Sequence, residues 1–274
     1  MNKTYNDTVQ INAQNEKVKG TNIHSSDTIR GCPNGCESCW AKRNSCRSIE
    51  HFEKPIKVNH FKGKVKQDDW YRFGNQGDPA IDWEHSEKVV KKLNIKKFFA
   101  VTKLLSLKGF TGYFKNLQVS VDPLNKTHFF RTLENVTKLM RDFPETRIVL
   151  RVRSCSTYDV GILILQDTIV KFANERGLPI METRVRFNNK SAFEKYSLVK
   201  EDYHWNKGYY RPKNGLIFLT GVERYYDCDL YGLKCKNCSN CTSTWEDVQF
   251  HKKGNFIAPH REKEKYHVPQ KIAA

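Results

Sequence analysis

Between Val18 and Phe187 short apolar runs alternate with longer amphipathic stretches, the pattern of βα units that feed a parallel sheet. The clearest predicted strands are FFAVTK (Phe98–Lys103), LQVSVD (Leu117–Asp122), RIVLRVR (Arg147–Arg153) and PIMETRVRF (Pro179–Phe187). Fainter ones fall near Lys17–His24 and Trp70–Phe73. Among the helices, His128–Phe143 sets Phe130, Leu133, Val136, Leu139 and Met140 along one stripe, and the run that opens at Asp159 stops on Gly177. Others are expected near Ser38–Arg47 and Trp83–Leu93. A full eight-unit barrel takes about 250 residues, which would leave the 274-residue chain no room for its tail. The expected fold is therefore α/β, a partial (βα)6 TIM-like barrel over residues 1–187. Residues 188–274, aromatic, basic and loop-rich, are expected to form a cysteine-rich C-terminal extension.

Charge adds a partner class. Lys and Arg number 47 against 30 Asp and Glu, a net +17, which favours polyanions through phosphate contact and counterion release. The lysines are scattered rather than gathered in one block, so a solvated basic surface is the competing reading. Aromatic and basic residues interleave from Tyr203 to Arg211, a composition suited to stacking on bases while neutralising phosphate. No apolar run reaches the length of a membrane span and the first residues are polar, so a soluble, cytoplasmic protein is expected.

Seven of the nine cysteines fall into two groups, which points to metal ligation more readily than to disulfides in a cytoplasmic chain. Cys32, Cys36 and Cys39 are spaced C-x3-C-x2-C on the loop after the first predicted strand. Three thiolates can hold three irons of a four-iron cluster and leave the fourth open. Structural zinc wants four ligands, and Cys46 or His51 would complete such a site, so spacing alone leaves both metals open. Cys228, Cys235, Cys238 and Cys241 follow C-x6-C-x2-C-x2-C, a complete donor set for either zinc or a second [4Fe-4S] cluster. Cys46 and Cys155 read as small hydrophobes.

The C-x3-C-x2-C loop after the first strand of a βα barrel resembles the signature of the radical S-adenosylmethionine superfamily, over about Val18 to Phe187. The surrounding GC-x2-GC-x2-CWA is similar to phage-associated members and to the spore photoproduct lyase branch. Ser38 stands where the family commonly has an aromatic, with Trp40 just after the third cysteine instead. The resemblance implies a [4Fe-4S] cluster whose open iron binds S-adenosyl-L-methionine. It also implies a reductant such as flavodoxin or ferredoxin, and reductive cleavage to a 5′-deoxyadenosyl radical.

Cosubstrate-binding residues are then expected at the C-terminal ends of the strands. Gly77 and Asp78 loosely match the family's Gly-Gly-Glu-like motif, and equally make a Gly-Asp-Pro turn. Ser120 and Asp122 end a strand and would reach ribose hydroxyls, although Asp122 before Pro123 also suits a helix cap. Arg151 and Arg153 share one side of their strand, and Glu182, Arg184 and Arg186 share one side of the next. Charges on buried strands need a polar cavity or one another, so these five either line the interior and bind the cosubstrate carboxylate and an anionic substrate, or form an ion-pair network. The expected function is a radical enzyme acting on a nucleotide or nucleic acid. The alternatives are a peptide or small-metabolite substrate, or a non-enzymatic zinc-containing nucleic-acid-binding protein.

Overall fold

The computed structural model describes residues 8–14, 21–36, 39, 41–42, 49–206, 208–213 and 216–227. Seven strands form the central sheet: β1 (Ile23–Ser26), β2 (Trp70–Phe73), β3 (Lys97–Thr102), β4 (Asn116–Val121), β5 (Arg147–Ser154), β6 (Ile180–Arg184) and β7 (Tyr225–Asp227). All neighbours run parallel and lie side by side in chain order, with β1 and β7 at the edges. Five of the six predicted strands are present with ends shifted by a few residues; the first, expected near Lys17–His24, runs from Ile23, and residues 17–20 of that expectation lie outside the described residues.

The seventh strand was not expected. Residues past 187 read as a region apart, yet Tyr225, Tyr226 and Asp227 pair with Ile180, Met181 and Glu182 and extend the same sheet. Three residues just before the cysteine-rich sequence carry too short a pattern to announce a strand; the waiting edge of β6 supplies what local sequence lacks.

Three long helices, α1 (Trp83–Lys92), α2 (Lys126–Asp142) and α3 (Val160–Glu175), connect successive strands. Their N-termini are capped by Asp82, Asn125 and Asp159, whose side chains accept the backbone N–H of His85, His128 and Ile162. Gly177, at φ 62°, follows the end of α3 as predicted. The helices share one face of the sheet: Trp83, Val90, Phe129, Val136, Leu165 and Ile169 pack in one core with Tyr71, Phe73, Leu117, Val119, Leu150 and Ile180. The opposite face has its own apolar layer near the strand starts, where Ile23, Trp70, Phe99, Val149, Met181 and Tyr226 join residues of both edge strands in one cluster.

On α2 the buried stripe starts at Phe129, not Phe130. Phe129, Leu133 and Val136 follow the 4, 3 spacing of one helical face, whereas Phe130 is rotated off it and is 50% exposed. The expected helix at Ser38–Arg47 lies mostly outside the described residues.

The two phenylalanines give a paired test of this face. Phe129→Ala should destabilise the protein by about 3–5 kcal/mol, while Phe130→Ala should change it by less than about 0.5 kcal/mol. Urea denaturation of both variants, with unchanged m-values, measures the difference.

Candidate metal and anion site at the strand ends

The cysteine loop leaves the sheet just after β1 and is tied back to it by backbone. The Gly31 N–H donates to Gln76 O at 2.9 Å, Gly31 and Gly77 form a parallel bridge, and the Cys32 N–H donates to Phe52 O at 2.7 Å. A Cβ on Gly77 would stand 2.2 Å from Ile29 O and 2.9 Å from Gly31 O, so only glycine allows this approach. The 75–77 loop is in turn held by Asp27, whose Oδ1 accepts the Asn75 and Gln76 N–H groups at 2.7 and 2.8 Å. Burial pushes the Asp27 carboxyl up to about 6 against those two hydrogen bonds and the Arg30 and Arg72 charges.

Asp78 also works on backbone. Its Oδ1 accepts from Ala80 N at 2.9 Å and its Oδ2 from Lys103 N at 2.8 Å. Burial raises its pKa, and the Thr102 hydroxyl and the two amides oppose the rise. Gly77 and Asp78 are thus a bracket between β1, β2 and β3, which is the turn reading of Gly-Asp-Pro.

Cys32, Cys36 and Cys39 are half-buried and free of disulfides. They share one neighbourhood, since each of the other two thiols raises the pKa of Cys32. Burial is the larger cause and, with Asp78, carries Cys32 up to about 12; burial likewise raises Cys36. Such thiols keep their protons at neutral pH and make poor nucleophiles, whereas metal coordination deprotonates a thiol outright. The Lys42 N–H points at Cys39 Sγ at 3.4 Å, the kind of donor that tunes a metal-bound sulfur. Among the described residues no three His, Cys, Asp or Glu side chains form a ready metal-holding group. The fit to an iron-sulfur centre is therefore one of donor chemistry: three soft ligands on one loop, with cations close to Cys36. Cys228, Cys235, Cys238 and Cys241 lie outside the described residues, as does Cys46. Cys155 is buried in an apolar cluster, as a small hydrophobe is.

Those cations stand on the sheet face away from the helices. Asp122 Oδ2 meets Lys103 Nζ at 3.2 Å and Arg153 Nη1 at 3.5 Å, and Lys103, Asp122 and Arg153 all act electrostatically on Cys36. Burial of Asp122 would raise its pKa, but Arg153 and Lys103 outweigh it and hold the carboxyl below the usual range. Asp122 is not the cap of α2, a place Asn125 takes. Ser120 pairs with Arg151 on the same face, and Arg72, bonded to Ser25 Oγ at 2.9 Å, lies farther along it. Arg72, Lys103, Arg151 and Arg153 give this rim a positive field. Sequence reasoning missed Lys103 although it closes FFAVTK at a strand end, the position where polar groups meet ligands in such sheets.

Glu182 and Arg184 do not join this set. The register pairs Arg151 and Arg153 with Met181 and Thr183, but Glu182 and Arg184 with Val152 and Ser154. The expectation that all five charges share one face is corrected: parity holds within each strand, and the register offsets one strand against the other. Glu182 is 0% exposed on the helix side. It accepts hydrogen bonds from Ser154 Oγ at 2.5 Å, Phe218 N at 3.1 Å and the Tyr225 hydroxyl. Burial raises its pKa against these donors and Arg184. Arg186 lies past the paired residues of β6.

No family model matches the chain, and neither does any curated protein or solved structure. No helix among the described residues is long and apolar enough to cross a membrane.

Two outcomes follow from the carboxylates. The folded Asp27 carboxyl holds its proton to about pH 6 and the unfolded one to near 3.8. The folded state therefore binds more protons between those values, and this residue's contribution to stability falls as pH rises from about 4 to 7, by about 3 kcal/mol. Asp27→Asn keeps an acceptor for both amides and should flatten that dependence in denaturation measured across this range. Glu182→Ala strands buried donors and should cost about 3 kcal/mol in urea denaturation.

Proposed function

We propose that this chain is a radical S-adenosylmethionine enzyme with a partial (βα)6-type barrel, acting on a nucleotide or nucleic-acid substrate. The observation that carries the reading is the three-cysteine loop leaving the first strand of a sequentially ordered parallel sheet, with Lys103, Asp122 and Arg153 beside Cys36. The barrel form is supported by strand order that never reverses, by helices on one face, and by the apolar cluster that joins both edge strands on the other.

Cys32, Cys36 and Cys39 would hold three irons of a [4Fe-4S] cluster. A cluster held there would supply, from a flavodoxin- or ferredoxin-type reductant, the electron that cleaves S-adenosylmethionine to methionine and a 5′-deoxyadenosyl radical. The protein's own contribution is placement. Gly77 and Asp27 fix the cysteine loop, and the apolar layer at the strand starts closes the sheet floor to water. Lys103 and Arg153 offset negative charge next to Cys36, while Arg151 and Ser120 offer the same face an anion-binding and a hydrogen-bonding group. That rim suits a carboxylate or phosphate.

Anaerobic supply of iron and sulfide should give a brown protein that forms 5′-deoxyadenosine from S-adenosylmethionine and dithionite. Replacing Cys32, Cys36 and Cys39 together by Ala should abolish the product while leaving any metal on Cys228–Cys241, read by iron, sulfide and zinc counting. A colourless protein that takes up zinc alone under these conditions overturns the reading.

A further inference from the structure

A second feature stands at the same rim. Tyr203–Asn206 and Tyr209–Pro212 form an antiparallel hairpin in which Tyr203 faces Pro212, His204 faces Arg211, Trp205 faces Tyr210 and Asn206 faces Tyr209. Alternation gives it two faces. Tyr203, Trp205, Tyr210 and Pro212 share one, and its root is packed. Tyr203 is buried with Phe187 and Phe193, Tyr210 meets Phe193 edge-on at 4.8 Å, and Tyr210 exchanges both backbone hydrogen bonds with Phe187. The Ser156 N–H donates to the Tyr203 hydroxyl at 3.0 Å, which fastens the hairpin to the chain just past β5, the strand that carries Arg151 and Arg153.

Trp205 continues this aromatic row out of the core. Its ring leans on Tyr210 at 4.7 Å and 63°, yet the residue is 57% exposed. On the other face, the Arg211 guanidinium lies 5.9 Å from the Tyr209 ring centroid, beside His204. A large ring held in place from below and open above differs from a core aromatic, whose removal would undo packing. The surrounding chain is basic: residues 186–213 carry seven Lys and Arg (186, 190, 195, 200, 207, 211, 213) against three Asp and Glu (194, 201, 202).

We propose that this hairpin is a docking platform for single-stranded nucleic acid, on which Trp205 stacks with a base while Arg211 and neighbouring cations meet phosphate. Charge complementarity selects a polyanion. The exposed ring selects an unpaired base, whose face is open, over a duplex whose bases already stack on each other. The bound strand's role as substrate rests on the radical reading above; its binding does not.

The test is a titration of the full-length protein with oligothymidine, oligouridine and a duplex of equal length at several salt concentrations. For about five phosphate contacts the log-log slope should lie between about −3 and −5. Trp205→Ala should weaken single-strand binding by about 5- to 150-fold with an unchanged unfolding midpoint, Trp205→Phe should retain most of it, and Arg211→Ala should reduce the slope by about one. Absence of binding at the lowest salt, preference for the duplex, or full affinity in Trp205→Ala each overturns the platform. Binding of this pattern by a wild-type protein that forms no 5′-deoxyadenosine would leave the platform standing and remove the radical chemistry; product formation without binding would do the reverse.

Discussion

The backbone of Gly77 lies against the backbone of Ile29 and Gly31 at a distance that no side chain permits, and the cysteine loop hangs on that approach. Asp27 holds the other side of the bracket by accepting two amides of the 75–77 loop. The start of the cysteine loop is therefore held by main chain and one buried carboxylate. Chemistry that needs a ligand set at a fixed place over the strand ends gains from this arrangement, because main-chain contacts between adjacent strands move only if the sheet does. In the same bracket the Asp78 carboxylate accepts the Ala80 and Lys103 amides, while Gly77 provides the close approach.

The sheet separates two kinds of work. Its helix face is largely apolar, with the Glu182 network as a polar inclusion near one edge, and burial there supplies most of the stabilisation. Its other face is apolar at the strand starts and charged at the strand ends, where Lys103, Asp122 and Arg153 stand together. Asp122 stays ionised at low exposure because two cations outweigh its desolvation. An excess of positive charge remains on that rim, and it is this excess, beside half-buried thiols, that makes the face suited to anions.

Two devices stand out among the contacts that join the chain past β6 to the sheet. Glu182 collects Ser154, Phe218 and Tyr225 on the helix side and so anchors the return to β7. The aromatic cluster of Phe187, Phe193 and Tyr203 anchors the hairpin on the rim. One device is a buried carboxylate satisfied on several sides, the other a packed row of rings, and the second leaves its last ring, Trp205, in solvent.

Sequence by itself determined the βα order, six of the seven strands and the long helices, because alternation and helical spacing are local properties that strong apolar runs express without help. It also determined the grouping of the cysteines and the parity of Arg151 with Arg153 and of Glu182 with Arg184. Tertiary structure alone decided the register of β6 on β5, which a shift of one residue reverses, and so put Glu182 in a structural network while Arg151 and Arg153 face the rim. It likewise decided that Phe129 rather than Phe130 is buried, that Lys103 belongs with Asp122, and that Gly77 is needed for backbone approach. The strand β7 was illegible for the same reason: its three residues are ordered by the edge they meet, and no local pattern encodes a partner that lies more than forty residues back along the chain.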